Sequence, residues 1–304
     1  MSHSEPGTAG GSVRTLPLPP KGFDACTASA RGLRRYGFPQ RPDPATHPQL
    51  AARWDKIFSR KITHIRPTFR PLDELLPGVK PRGRAPRDLS TVTNATWSGA
   101  VVHATGSQTF TWVLGQWNVP DVAPAAGGGG QYTFAFIGID GNSDVTQIGT
   151  IQSVSTASNG SVTKSCYAVY EWFPNSWSAI TNFPVNFGDT MLGLICLDSP
   201  TEAFFSLLNL TSNLHAGFVF DAPAGTTSLE NQAEWVLERP EVGGVNPPMP
   251  DFGEIYFDSA MGGHGLDFLA DAGTDTAINM VVNGATVATT TVETPTLIKI
   301  AYTG

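Results

Sequence analysis

From Thr91 onward, short runs of apolar and β-branched residues alternate with turn formers, a period-two pattern that predicts strands. The runs are Trp97–Val102, Thr109–Val119, Tyr132–Ile139, Val145–Val154, Ser165–Phe173, Thr190–Cys196, Phe204–Leu210, Ala216–Phe220, Ala233–Glu238, Glu254–Phe257, Ile278–Val282 and Thr296–Tyr302. Between them stand Gly127–Gly130, Asp140-Gly141, Asn159-Gly160, Gly188-Asp189, Ala224-Gly225 and Asn283-Gly284, residues that supply the φ values turns require. About a dozen strands with no helical pattern predict an all-β domain over 91–304, an antiparallel two-sheet β-sandwich. Several runs, such as Thr109–Leu114, carry bulky residues on both faces. One sheet is therefore expected to pack the core on one side and line a concave, aromatic and polar surface on the other.

The first 90 residues read differently. Pro44–Phe58 has helical spacing through Leu50, Trp54 and Ile57/Phe58, and the remainder is Pro-broken and expected to be irregular until docked. The Pro/Arg-rich stretch Pro77–Asp88 reads as an exposed linker between two modules, 1–90 and 91–304. Charge breaks at the same place. Residues 1–90 hold 16 of the 19 Lys and Arg against 7 acids, a net of +9; residues 91–304 hold three bases against 19 acids, a net of -16. The acidic half is poor in bases rather than unusually rich in acids. Once its carboxylates are protonated little positive self-repulsion remains, which favours a fold that tolerates low pH. A basic arm beside an acidic domain also suggests an intramolecular partner: the N-terminal segment lying on the sandwich at neutral pH, as an inhibitory propeptide does, and loosened by acid.

Composition excludes other classes. The chain is 40% hydrophobic, and no apolar run approaches bilayer length, so no membrane partner is expected. The basic residues lack aromatic interleaving or a reader motif, which argues against nucleic acid. There is no phosphate loop, paired-Cys zinc spacing or His-Glu-x-x-His. Cys166 and Cys196 lie in apolar strands and read as small buried hydrophobes whose pairing the sequence leaves open, with Cys26 free. What remains for chemistry is carboxylates and amides within strands. In Gln232–Glu238, period two puts Gln232, Glu234, Val236 and Glu238 on one face and Trp235 and Leu237 on the core face. In Tyr167–Pro174, Val169, Glu171 and Phe173 share a face opposite Tyr170 and Trp172, and Gln147 opens a strand after the turn that contains Asp140.

Trp97-Ser98-Gly99-Ala100-Val101, Val113-x-Gly115-x-Trp117-x-Val119-Pro120, Gly138-Ile139-Asp140-Gly141, Gln147-x-Gly149, Tyr170-Glu171-Trp172-x-Pro174, Gly188-Asp189 and Ala233-Glu234-Trp235-Val236-x-Glu238 occur in a specific order. The ordered set, spanning about Trp97 to Phe257 and most of the tail, resembles the glutamic peptidases, the eqolisin family of acid endopeptidases. Tyr36-Gly37-Phe38-Pro39 and Arg41-Pro42 resemble the leader of bacterial members.

The resemblance implies a concanavalin A-like sandwich, protein or peptide substrates, no cofactor, insensitivity to pepstatin, and a dyad of Gln147 and Glu234. Glu234 would take a proton from water and return it to the departing amine, with Gln147 orienting the water and donating to the oxyanion. An ordinary Glu titrates near about 4.3, which suits acid operation. Trp97, Phe136, Asp140, Val169 and Glu171 are the substrate-cleft candidates, Asp140 as a turn anchor and Glu171 as a supporting acid. Phe136 and Val169 stand where most members carry Trp, and Thr96 replaces a usual Asn, departures that bear on substrate preference and rate. Two other readings compete: a glycoside hydrolase using Glu171 and Glu234, and a non-catalytic sugar- or peptide-binding sandwich. The family is secreted, although the first 30 residues show no hydrophobic stretch of signal-peptide length. A monomer is the default, with maturation cleavage expected between Leu76 and Thr93.

Overall fold

The computed structural model describes residues 11–80, 93–126, 128–141, 144–265, 267–271 and 276–304. The N-terminal segment forms β1 (Val13–Thr15), α1 (Ala30–Arg35), α2 (Pro48–Phe58), β2 (Thr63–Ile65), β3 (Phe69–Pro71), α3 (Leu72–Leu75) and β4 (Val79–Lys80). Then follow β5 (Thr93–Asn94), β6 (Trp97–His103), β7 (Trp112–Asn118), β8 (Gly129–Ile139), β9 (Thr146–Thr156), β10 (Val162–Trp172), β11 (Ser178–Ile180) and β12 (Thr190–Ser199). The chain continues through β13 (Glu202–Asn209), β14 (Leu214–Asp221), β15 (Gln232–Glu238), β16 (Glu241–Val242) and β17 (Glu254–His264). It closes with β18 (Asp267–Asp271), β19 (Thr276–Val282), β20 (Ala285–Thr294) and β21 (Leu297–Tyr302).

Two largely antiparallel sheets result. The first runs β14-β13-β12-β7-β17-β21-β20-β19. The second runs β11-β10-β9-β8-β15-β6-β19. β19 belongs to both, pairing with β6 through Thr276–Ile278 and with β20 from Met280 on. Between the sheets lies an apolar core that includes Trp117, Trp172, Trp235, Phe205, Phe218 and Phe257. Burying each such side chain stabilises by about 1.5–3 kcal/mol. A cross-sheet hydrogen bond from Trp235 Nε1 to the Leu114 carbonyl, 2.8 Å, ties the two sheets. Gly115 permits it: a Cβ there would lie 2.7 Å from Ile137 Cγ2 and 2.9 Å from Trp235 Cδ1.

The N-terminal segment is more ordered than its prolines suggest. β1 and β2 line the free edge of β14, and β3 extends β11, so the segment caps one edge of each sheet. α2 begins at Pro48 rather than Pro44, because Asp43 holds Ala45 and His47 in a turn and Pro48 supplies a preset first helical φ. Its Trp54 and Phe58 pack with Leu33 and Phe38 against Leu192 and Leu208 on the outer face of the first sheet. The linker reading of Pro77–Asp88 is corrected at its start, where β4 pairs with β16 and Val79 is buried; residues 81–92 lie outside the described residues. Cys26, Cys166 and Cys196 are all free thiols, so the open pairing of Cys166 with Cys196 is not made.

Candidate functional site

The outer face of the second sheet carries the residues of interest in rows across its strands, because registered neighbours in a sheet point the same way. Glu234 on β15 is opposite Gly138 on β8, Gly138 is opposite Gln147 on β9, and Gln147 is opposite Glu171 on β10. Glu234, Gln147 and Glu171 therefore share one line on one face. One pleat along, Val236, Phe136, Gly149 and Val169 form the next row; beyond it come Trp97, Glu238, Phe134, Ile151 and Tyr167. The core face of the same strands is taken by Ala135, Ile137, Ile148, Tyr170, Trp172 and Trp235.

Gly138 is the gap in the first row. Glu234 leans into it: a Cβ on Gly138 would lie 3.0 Å from Glu234 Oε1 and 3.2 Å from its Cγ. Glu234 Oε2 accepts a 3.1 Å hydrogen bond from Gln232 Nε2, whose side chain folds over Gly141. Gln147 Nε2 donates to Glu171 Oε2. Relative exposures are 0% for Glu234, 1% for Gln147 and 2% for Glu171, so none of the three is a solvated strand position.

The N-terminal segment packs on the same face of this sheet, against its apolar rows. The Leu72 amide donates to the Trp177 carbonyl, 2.9 Å, and brings α3 and β4 over this face. Leu72 and Val79 are buried in a cluster with Trp97, Val101, Phe134, Phe136, Val169 and Trp177. The Trp177 ring sits 4.8 Å from that of Phe134 and 6.0 Å from that of Phe136. The cleft candidates Trp97, Phe136 and Val169 thus line the same face as the dyad candidates, beneath a strap of the chain's own residues.

Asp140 lies apart from the row. It ends β8 with φ +63°, which an Asp-Gly turn accommodates, and its carboxylate gathers the loop leading into β15. Its Oδ2 accepts from Ser228 Oγ, from the Leu229 amide at 2.9 Å and from the Glu230 amide at 3.2 Å, and its Oδ1 accepts from the Asn231 amide at 2.9 Å. Burial, and then the nearby Asp144 charge, push Asp140 up to about 6, and burial also raises Asp144. Asp140 therefore holds together the loop that leads into β15. Among the described residues no group of three or more His, Cys, Asp and Glu gathers as metal ligands. Two residues escaped the sequence reading as partners, Gly138 and Gln232. Gln232 could have been found, since period two already put it beside Glu234; the place of Gly138 depends on which strands pair.

A model described as the peptidase A4 family matches residues 95–302. Aspergillopepsin-2 of Aspergillus niger is 26% identical over 184 residues, 55% of this chain and 64% of that protein, so the chain spans a little under two thirds of the relative's length. Scytalido-glutamic peptidase, solved with a transition state analog inhibitor, superposes with TM-score 0.58 at 20% identity, over 69% of this chain and 99% of that one. SCP-B, an eqolisin in complex with the tripeptide Ala-Ile-His, gives TM-score 0.53 at 16% identity, over 69% and 99%. The aspergilloglutamic peptidase of Aspergillus niger gives 0.51 at 22% identity, over 57% and 99%. At these identities the solved structures establish the shared sandwich fold.

Proposed function

The chain belongs to the peptidase A4 family, and on that premise we propose that it is an acid-active, pepstatin-insensitive endopeptidase in which Glu234 and Gln147 activate water directly. Ionised Glu234 removes a proton from a water lying over Gly138 as that water attacks the scissile carbonyl. The Gln147 amide accepts from the same water through its oxygen and offers an N–H to the developing oxyanion. Glu234 then gives its proton to the departing amine, so no covalent intermediate forms. The carrying observation is the row Glu234–Gly138–Gln147, in which the missing side chain at Gly138 lets the Glu234 carboxylate lean toward the strand that carries the Gln147 amide. The neighbouring row of Phe136 and Val169 offers an apolar wall along which an extended peptide can lie.

The N-terminal segment is the domain's inhibitor in this reading, occupying with Leu72 and Val79 the apolar wall of Phe136 and Val169 until cleavage or acid removes it. Ion pairs support its docking: Arg14 with Glu202 and Asp221, Arg34 with Asp198, and Arg53 with Asp258 all join the basic segment to the acidic sandwich. The glycosidase alternative draws no support from the site. Glu171 stands three strands from Glu234, roughly 14 Å between Cα atoms at about 4.8 Å per strand, and Gln147 occupies its carboxylate.

Incubation with a denatured protein at about pH 3–4, where an ordinary Glu is partly ionised, with and without pepstatin, tests the proposal. Digestion is expected in both arms, together with loss of the N-terminal segment. Intact substrate across the acid range overturns it, and digestion that pepstatin stops assigns the chemistry to a different pair of groups.

A further inference from the structure

Two histidines meet where the N-terminal segment joins the first sheet. His64, the middle residue of β2, is in parallel register with His215 on β14, and their Nδ1 atoms are 2.9 Å apart. His215 Nε2 lies 2.9 Å from Ser206 Oγ on β13. Phe38, from the same segment as His64, covers both rings, with centroids 4.8 Å from His64 and 5.5 Å from His215. The chain before it is pressed equally close: a Cβ on Gly37 would lie 3.2 Å from Gly217 Cα and 3.5 Å from His215 Cε1. His215 is 1% exposed.

A contact between two Nδ1 atoms holds one proton. With both rings neutral, one donates and the other accepts. With both rings charged, two N–H groups face each other at that separation, where the buried His215 and the half-buried His64 leave their repulsion only partly screened. We propose that the His64–His215 pair is an acid-opened latch: protonation of both rings drives β2 off β14 and so loosens the strap that packs on Phe136 and Val169, the row beside Glu234 and Gln147. Only three residues, Arg66 to Thr68, separate β2 from β3, which leads directly into α3 and β4. The opening of the seam stands on its own geometry; its consequence for the active site rests on the inhibitory reading above.

Among the described residues no ion pair offsets charge on either ring. The elements packed on the pair, β13, β14 and the Gly37–Phe38 turn, bring Ser206, the Gly37 backbone and the Phe38 ring to it. Among the described residues no carboxylate contributes to the shift of either ring, and neither do Lys61 and Arg66, the cations flanking β2. Burial holds His64 down to about 4; burial and then the His64 charge hold His215 down to about 3. Free imidazoles titrate near about 6.5. The docked form therefore binds fewer protons than the undocked one below that pH. Docking is strongest above about 6.5 and weakens by up to about tenfold per pH unit for each ring as pH falls toward the docked values.

The test is hydrogen exchange of the full-length chain carrying Glu234→Gln, which removes self-digestion from the measurement. After correction for intrinsic exchange, protection over 63–71 is expected to fall at least about tenfold between about pH 5 and 3, while β8 and β9 stay protected. His64→Leu, and separately His64→Gln, should keep the segment docked at neutral pH and move the opening about one pH unit lower. An unmoved midpoint in both variants, or protection that persists at about pH 3 in the parent, overturns the latch. If neither variant folds, the ring Cε1–H signals of the parent decide: values near about 6.5 for both rings contradict it. None of these readouts requires peptidase activity, so a failed latch and a failed peptidase remain distinguishable.

Discussion

Gly138 is where the smallest chemical change should have the largest consequence. A methyl group there would press on Glu234 Oε1 and Cγ, at 3.0 and 3.2 Å, and fill the space proposed for the attacking water. Gly138→Ala is expected to lower kcat by on the order of 100-fold, as misplacement of a reacting group by about 1 Å does. Its KM and melting temperature should stay near those of the parent, and steady-state kinetics with a thermal melt check this. Glu234→Gln, which keeps shape and removes the proposed base, is expected to cost about 100- to 10,000-fold, with the fold retained by circular dichroism. The orientation of these side chains was legible in the sequence, because Trp235 and Leu237 claim the core face and leave Glu234 the other. The burial of Phe136, Val169 and Trp97 was not. They share a buried cluster with Trp177 and with Leu72 and Val79, the latter pair more than 15 residues upstream of Trp97, and no local pattern encodes such contacts.

Among elements, the loop into β15 ties site geometry to acidity. Asp140 titrates near about 6 in the fold against 3.8 ordinarily, so its contribution is complete below the lower value and is lost as pH rises through the higher one. The shift corresponds to roughly 3 kcal/mol favouring the fold in acid, at about 1.4 kcal/mol per pH unit. Set against an Asp140→Asn variant, the melting temperature of the parent is therefore expected to rise as pH is lowered from about 7 to 4. Asp144→Asn, which removes the neighbouring charge, should flatten that rise; a slope equal to the parent's would show that the Asp144 charge contributes nothing. Strand positions were mostly readable, since β8, β9, β10 and β15 have strong period-two patterns. β20 was missed because Ala285–Thr294 is mostly Ala and Thr, with Val287 and Val292 too far apart to set up an apolar alternation. The distal half of β17 was missed because its register shifts between Asp258 and Met261, with Ser259 at φ +54°, so a bulge there resembles a turn in sequence.

At the scale of the whole molecule, two forces could hold the N-terminal segment on the sandwich, and their sizes differ. Opposite charge was the force legible in composition, and it is present as the ion pairs of Arg14, Arg34 and Arg53. Their side chains are 47%, 60% and 33% exposed, however, and such pairs contribute about 0.2–1 kcal/mol each. Against them stand Leu33, Phe38, Trp54, Phe58, Leu72 and Val79, all buried, at about 1.5–3 kcal/mol each as an upper range. The apolar contacts dominate, so neutralising carboxylates alone should not free the active site. Leu72→Asp in the full-length chain is expected to raise hydrolysis of a short peptide at about pH 5.5 at least about tenfold, by placing a charge in the apolar cluster beneath the strap. Replacing Arg14, Arg34 and Arg53 together by Gln should raise it less than about threefold, and high salt should mimic that change in the parent. If the triple Arg variant opens the site as far as Leu72→Asp does, the ranking is reversed and charge, with its carboxylates, becomes the device that acid acts on.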